Sequence, residues 1–466
     1  MRNLAAILLA AGKGTRMKSR IPKVLHEVAG RPMLFYPLNL LSGLKAGKVI
    51  TVVGFGADMV REAFPPAGAL CYVGQTEQLG TGHAVLTASR ALRGFDGDVL
   101  ILSGDVPLIT EQTVKALVRT HRRAVKRRPA ITLISTVLSD PAGYGRIVRD
   151  ARGAVTGIVE EKDCTPEQRK IDEVNAGIYL VSSGFLAANI KKLGKQNAQG
   201  EYYLTDLVKM AAGSGQRVTA ITHIDPDEVM GVNNRMELAR AGRIMRARIN
   251  TALMLSGVTL IDPSRTYIDH GVAIGADTVI YPGARLSGAT RIGTGCMIED
   301  NAVITGSEIG DGSVVRSHSV IEASKAGRGV SIGPLARLRP GNEIGDKARI
   351  GNFVEVKNSV VGQGAKAGHL SYIGDSVIGR DVNIGAGTIT CNYDGFEKHR
   401  TVIEDGAFIG SDTQLVAPVT VGRGAYVGSG TTVTRDVPPG ALIVTRAREK
   451  VVEGWAVRKK SRSGGK

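Results

Sequence analysis

Aromatic residues make up only 4% of this 466-residue chain, and Trp455 is its single tryptophan. So poor an aromatic supply argues against a surface that stacks nucleic-acid bases. Cysteine is rarer still. Cys71, Cys164, Cys296 and Cys391 stand far apart with no CxxC pair, so neither a zinc site nor a disulfide framework is indicated and a reducing, cytoplasmic setting fits. Long apolar runs are missing too: none approaches a membrane span, and no signal-peptide pattern precedes the first strand. Acidic residues number 43 against 60 Lys and Arg, leaving a net charge of +17. The excess gathers in Arg119, Arg122, Arg123, Lys126, Arg127 and Arg128 on one expected helix, and in the tail Arg458-Lys459-Lys460-Ser461-Arg462. No nucleic-acid-binding motif accompanies it, so the charge reads as solvated faces that also attract small anions.

Glycine, at 60 residues, and aliphatics are plentiful. From Ile274 to Val433 an aliphatic residue returns every six positions: Ile274, Ile280, Leu286, Ile292, Ile298 and Ile304, then after a one-residue slip Ile309, Val315 and Ile321. The spacing resumes at Ile332, Leu338, Ile344, Ile350 and Val356, at Val361, Ala367 and Ile373, at Ile378, Ile384 and Thr390, and at Ile409, Leu415, Val421, Val427 and Val433. Only Thr390 is not aliphatic. At about 100° per residue, six residues of helix rotate roughly 240°, so no helical stripe forms. Six is even, so in extended chain all these side chains face one way. Short strands, glycine-assisted bends and stacked coils would bury them in a continuous column. The pattern resembles the left-handed hexapeptide-repeat β-helix of acyl- and acetyltransferases.

Upstream, apolar strands alternate with helices to about residue 230. Strands are expected at Asn3–Ala10, Val49–Gly54, Ala69–Val73, Asp98–Ser103, Ala130–Val137 and Asn175–Val181, and helices near 33–44, 57–64, 82–92 and 110–128. This order predicts a mostly parallel sheet covered on both faces, binding ligands at its carboxyl edge. The loop after the first strand is Ala11-Gly12-Lys13-Gly14-Thr15-Arg16-Met17. Its glycines admit a phosphate and its cations attract one, though it is no Walker A loop. Gln75-Thr76-Glu77-Gln78-Leu79-Gly80-Thr81-Gly82 adds an amide suited to a base edge, and Ser103-Gly104-Asp105 puts a carboxylate at a strand end, suited to Mg²⁺ on nucleotide phosphates.

The string Leu9 to Met17, with Pro22-Lys23 after it, resembles the signature of nucleoside-diphosphate-sugar pyrophosphorylases. Gly143-Tyr144-Gly145-Arg146-Ile147, Ile158-Val159-Glu160-Glu161-Lys162, Val174-Asn175-Ala176-Gly177 and Gly231-Val232-Asn233-Asn234-Arg235 follow in order. Together they match the branch of bifunctional N-acetylglucosamine-1-phosphate uridylyltransferases and glucosamine-1-phosphate N-acetyltransferases, over nearly the whole chain. The resemblance implies that Leu9, Ala10, Ala11, Gly12, Arg16, Lys23, Gln75, Gly80, Thr81, Ser103, Gly104, Asp105, Gly145, Glu160, Asn175 and Asn233 bind nucleotide and sugar, with Asp105 and Asn233 on Mg²⁺. Ser103 stands where that family commonly has Tyr.

Asn234 to Leu255 reads as one helix, capped by Asn234 and Glu237, with Leu238, Met245, Ile249 and Ala252 on one face. The expected organisation is a Rossmann-like α/β nucleotidyltransferase domain over residues 1–235, a linker helix over 236–256, and a left-handed β-helix acetyltransferase domain with a basic tail over 257–466.

Within the hexad tract, Gly368-His369-Leu370-Ser371-Tyr372 and Cys391-Asn392-Tyr393-Asp394-Gly395 break the filler composition, and the repeat lapses until Ile409. Arg339 and Lys357 sit beside inward aliphatics and so project outward, where two cations suit a sugar phosphate. His318 and His399 lack the spacing for a zinc cluster with His369. In the transferase-like pattern His369 is the expected catalytic base. The resemblance implies glucosamine 1-phosphate on Arg339, Lys357, Tyr372 and Asn383. It also implies acetyl-CoA on Ala386, Asn392, Tyr393, Ser411, Ser429 and Arg446, between subunits of a homotrimer; Ser429 stands where a small apolar residue is frequent.

The reading is a two-step enzyme that acetylates glucosamine 1-phosphate and then couples the product to UTP, with Mg²⁺. Its partners are small molecules (UTP, sugar 1-phosphates and acetyl-CoA), without nucleic acid or membrane. Two other readings are a nucleotidyltransferase whose β-helix only oligomerises or regulates, and a basic nucleic-acid-binding protein.

Overall fold

The computed structural model describes residues 3–123 and 128–463. Lys126 and Arg127 of the basic stretch lie outside the described residues, as do the side chains of Ser461 and Arg462. The chain forms two compact units, Met1–Arg246 and Ala247–Lys466. Among the described residues no helix is long and apolar enough to cross a membrane.

In the first unit the main sheet runs in the order Val218–His223, Ile131–Val137, Glu173–Ser182, Asp98–Ser103, Leu4–Ala10, Lys48–Val53, Leu70–Gly74. Strand Leu4–Ala10 is parallel to both its neighbours. Alternate residues feed two cores: Ala5, Ile7 and Ile101 pack on one face, Leu4, Leu8 and Leu100 on the other. Strand Glu173–Ser182 runs antiparallel to both of its neighbours. The sheet therefore departs from the simple alternation that the sequence suggests. A hairpin, Arg146–Arg149 with Val155–Val159, extends it and carries two of the motifs. The basic helix covers Glu111–Arg122; residues 124–127 of the expected 110–128 lie outside the described residues.

One helix, Arg235–Leu255, contains the division between the units. Asn234 Oδ1 accepts from the N–H groups of Met236 and Glu237 at 2.9 Å each, and Glu237 reaches back to the Asn233 N–H at 2.7 Å. This is the reciprocal cap that the Asn-x-x-Glu spacing predicts.

The second unit is a left-handed parallel β-helix whose coils build three sheets of 11, 10 and 9 short strands. The hexad residues form one core column, with Ile274 partly buried at its edge. Ala326 and Ile403 belong to the same column, although the regular spacing passes over them. The shortened steps (304 to 309, 321 to 326, 356 to 361, 373 to 378) and the long excursion from 390 to 403 all fall at one corner, between the ten- and nine-stranded sheets. That corner holds a buried polar ladder. Ser324 N–H donates to Ser307 Oγ at 3.1 Å, Ser359 N–H to Asn342 Oδ1 at 3.1 Å, and Ser376 N–H to Ser359 Oγ at 3.0 Å. Side chains here replace backbone partners where the corner changes length, although the hydroxyl of Thr401, the residue stacked on Ser376, is buried with no partner.

Two candidate active sites

The carboxyl ends of Leu4–Ala10, Leu70–Gly74 and Asp98–Ser103 open on a cleft of about 320 Å³. Leu9, Ala10, Ala11, Gly12, Lys23, Gln75, Gly80, Thr81, Ser103 and Asp105 line it, as the motifs predict. Gly14 has φ +60°, and a Cβ there would stand 2.7 Å from Lys23 Cβ, so glycine lets the loop fold onto Lys23. Buried Gln75 donates to the Gly80 carbonyl at 3.2 Å. Val24, Gln78, Ala84 and Glu201 also line the cleft and are absent from the sequence-derived set. Gln78 sits inside a motif and donates to the Ala11 carbonyl at 2.9 Å, which ties the two loops together. Glu201 comes from a stretch without any motif.

Asp105 meets Asn233 across Lys23. The Lys23 ammonium forms an ion pair with Asp105 and lies 3.3 Å from Asn233 Oδ1, which also accepts from Arg16 at 3.0 Å. The Val232 N–H donates to the Asp105 carbonyl at 2.9 Å, joining the two segments. Asp105 Oδ1 is buried with no hydrogen-bond partner. Among the described residues no group of three or more His, Cys, Asp or Glu could hold a metal. A carboxylate and an amide oxygen converging on one cationic position nonetheless fit Mg²⁺, which takes one or two protein ligands and completes its shell with phosphate and water.

Gly145, Glu160 and Asn175 gather at the same end of the sheet, because the antiparallel strand Glu173–Ser182 begins where Asp98–Ser103 finishes. Asn175 N–H donates to the Gly145 carbonyl at 2.9 Å, and a Cβ on Gly145 would lie 3.4 Å from Glu160 Oε2. Thr205 donates to Glu160 Oε1 at 2.9 Å. Burial pushes the Glu160 carboxyl above its ordinary pKa, with the Thr205 hydrogen bond opposing. These residues adjoin the first site without lining its cleft, as do Arg16, Gly104 and Asn233.

In the second unit one corner repeats an inward aliphatic, a glycine and a variable residue: Ile350-Gly351-Asn352, Ala367-Gly368-His369, Ile384-Gly385-Ala386, Ile409-Gly410-Ser411, Val427-Gly428-Ser429. The inward residues pair in register from coil to coil. Asn352, His369, Ala386, Ser411 and Ser429 therefore stand in one column, spaced by about 4.8 Å per coil. A Cβ on Gly351 would stand 1.8 Å from the Gly368 carbonyl oxygen, so glycine is what lets these backbones stack. His369 is exposed, with Nδ1 2.6 Å from Asn352 Oδ1. Arg446 donates to the Ser429 carbonyl at 2.6 Å. Asn383 projects from the same sheet, between Lys366 and Phe408.

Arg339 and Lys357 belong to a different corner. Arg339 donates to Glu355 at 3.1 Å, and Lys357 Nζ lies 3.9 Å from Asp375 Oδ2. Asn392, buried, donates to Asp375, and both Asn392 and Tyr372 crowd against Gly374. Thr390 explains itself here. Its hydroxyl accepts the Gly374 N–H at 2.8 Å while its carbonyl accepts Asn392 N–H, which turns the chain into the excursion. Sequence reasoning missed Asp375 and Lys398. Burial raises the Asp375 pKa, but hydrogen bonds from Asn358 and Asn392 and the Lys357 and Lys398 charges outweigh it, leaving it lowered. The neighbouring Lys357 ammonium lowers that of Lys398. His399 is held by Asp394 at 2.7 Å, and Tyr393 is 60% exposed on the same excursion. The sugar-phosphate residues expected from sequence thus fall on one chain into two groups, with Asn383 apart from Lys357.

The MobA-like NTP transferase domain family matches residues 6–156. The hexapeptide repeat of succinyl-transferase matches 289–323, and the bacterial transferase hexapeptide matches 400–435. The chain is 54% identical to the bifunctional protein GlmU of Geotalea daltonii, over 99% of this chain and 100% of that protein. It is 53% identical to the GlmU of Pelobacter propionicus, with the same coverage. Against the GlmU of an Anaeromyxobacter species the identity is 50%, over 99% of this chain and 94% of the relative.

Proposed function

The chain belongs to the GlmU family of bifunctional proteins, a uridylyltransferase and acetyltransferase in one polypeptide, and from that premise we propose how its sites divide the work. The β-helix column transfers an acetyl group from acetyl-CoA to the amine of glucosamine 1-phosphate. The first unit then couples N-acetylglucosamine 1-phosphate to UTP, releasing pyrophosphate. The observation that carries this reading is the coil register that stacks His369, Ala386, Ser411 and Ser429. Three steps of about 4.8 Å make a track of roughly 14 Å, suited to an extended pantetheine arm that ends at the histidine.

In acetyl transfer His369 takes a proton from the sugar amine as its nitrogen attacks the thioester carbonyl. The C–N bond forms, the C–S bond breaks, and CoA leaves as a thiol. Arg339, Lys357 and Lys398 offer positive charge to the sugar phosphate. In uridylyl transfer a sugar-phosphate oxygen attacks the α-phosphorus in line and the bond to pyrophosphate breaks. The glycine loop receives the phosphates, Gln75 faces the base, and Arg16 and Lys23 offset charge that grows in the transition state. Asp105 and Asn233 would hold Mg²⁺, which supplies Lewis-acid neutralisation of the phosphates.

The acetyl site is completed by other copies in a homotrimer. Supporting this, Leu335, Phe353 and Leu370 form an exposed apolar ridge next to the His369 column, at 46%, 54% and 61% exposure. Each has a φ between 45° and 56°, a conformation costly for bulky residues. Exposed apolar rows of this kind mark interfaces. A cytoplasmic setting suits four cysteines that are all free.

Purified protein given glucosamine 1-phosphate, acetyl-CoA, UTP and Mg²⁺ is expected to form UDP-N-acetylglucosamine. Omitting acetyl-CoA should stop the sequence at the first step, and supplying N-acetylglucosamine 1-phosphate should restore it. Product formation from UTP without release of CoA would return the β-helix to an oligomerisation role. Phe353→Asp is expected to shift the sedimentation of the protein from trimer toward monomer and to depress acetyl transfer more than tenfold, with uridylyl transfer kept. An unchanged trimer would remove the ridge from the interface.

A further inference from the structure

Two successive coils carry the same local sequence form: Ile350-Gly351-Asn352-Phe353 and Ala367-Gly368-His369-Leu370. Their register pairs Ile350 with Ala367 and Asn352 with His369. The backbones are locked together at this point. Leu370 N–H donates to the Asn352 carbonyl at 3.0 Å, and Phe353 and Leu370 both take left-handed backbone angles directly after the pair. The Gly351–Gly368 approach, closed to any residue with a Cβ at 351, fixes the spacing of the two coils. Asn352 is therefore held under His369 by the stacking of coils and not by loop geometry.

We propose that Asn352 is a positioning residue for acetyl transfer, whose side-chain oxygen accepts the His369 Nδ1–H and so presents Nε2, unprotonated, to the sugar amine. An amide oxygen is only an acceptor, and it selects the imidazole tautomer whose proton is on Nδ1. The 2.6 Å separation is that of a firm hydrogen bond. Orientation and tautomer are both chosen by the same contact. Asn352 carries no charge, so the contact orients the ring without forming an ion pair. The charged and titratable groups on the strands around the pair are Arg349 and Lys366 on its own sheet, and Glu355, Lys357 and Tyr372 on the next. The inference rests on His369 being the base.

The test uses full-length protein, with Asn352→Leu and Asn352→Asp compared alongside His369→Ala. Asn352→Leu removes the acceptor at similar size, and its kcat for acetyl transfer is expected to fall about 10- to 100-fold, the usual effect of losing the outer partner of a functional histidine. KM for both substrates should stay within a few-fold, and uridylyl transfer should be unchanged. Asn352→Asp keeps the acceptor and adds charge. It should retain most of the activity while the acidic limb of kcat against pH moves upward, because a nearby carboxylate favours the protonated ring. If Asn352→Leu acetylates within a few-fold of wild type with the same pH profile, Asn352 has no positioning role. If Asn352→Leu fails to fold, the Asn352→Asp profile decides alone, and an unshifted limb overturns the proposal. Full acetylation by His369→Ala would instead overturn the reading of His369 itself.

Discussion

Replacing His369 with alanine is expected to lower acetyl transfer by about 10²–10⁴-fold, the contribution of a positioned general base. The sugar amine is largely an ammonium near neutral pH and cannot attack a thioester until it loses a proton. Imidazole can accept that proton in the working range. His369 is exposed on the stacked column, so truncation leaves no buried cavity and no broken core contact. The fold should survive, and a thermal melt close to wild type would show it. Binding of glucosamine 1-phosphate and acetyl-CoA should also survive, because the anionic contacts are assigned in the proposed reading to Arg339, Lys357 and Arg446 and not to His369. Uridylyl transfer depends on the other unit and serves as the internal control. A well-folded His369→Ala protein that acetylates within a few-fold of wild type would remove His369 from the mechanism.

Asp105→Asn should abolish the other half-reaction. The substitution keeps volume and an amide oxygen while removing the charge that pairs with Lys23 and would hold Mg²⁺. Loss of several kcal/mol of transition-state stabilisation corresponds to about 10³-fold or more in rate. Asp105 is only 8% exposed, and breaking a buried pair also costs stability, so a lower melting temperature is expected. Acetyl transfer is the control that separates the two effects, and it should stay near normal. Raising Mg²⁺ should recover little activity, since the missing ligand is anionic. If both activities fell together, misfolding would be the explanation; if uridylyl transfer persisted, Asp105 would not be a ligand.

The sites differ in how far they could be read from sequence. In the first unit each functional loop is contiguous and follows an apolar strand, so the order of strands and loops along the chain is enough to assign Gly12, Gln75 and Asp105 to one edge. A parallel sheet brings successive strand ends together whatever the details of packing. Glu201 escaped because it reaches the cleft from a segment with no periodic or glycine-rich signal. The hairpin carrying Gly145 and Glu160 reads in sequence as turns, because its strands are short and its pairing is with the distant Glu173–Ser182.

In the β-helix the hexad spacing by itself determined the architecture, because only an even period places every aliphatic on one face of extended chain. It also marked His369 and the excursion as departures from filler. It could not reveal which outward residues share a corner. That depends on register between coils, and at one corner the register shifts by one residue in some coils and by a whole loop after Thr390. Only the tertiary structure put Asn352 against His369, aligned His369 with Ser429, and brought Lys398 beside Lys357. These neighbours lie a full coil or more apart along the chain, and backbone pairing between coils, not local propensity, decides which of them meet.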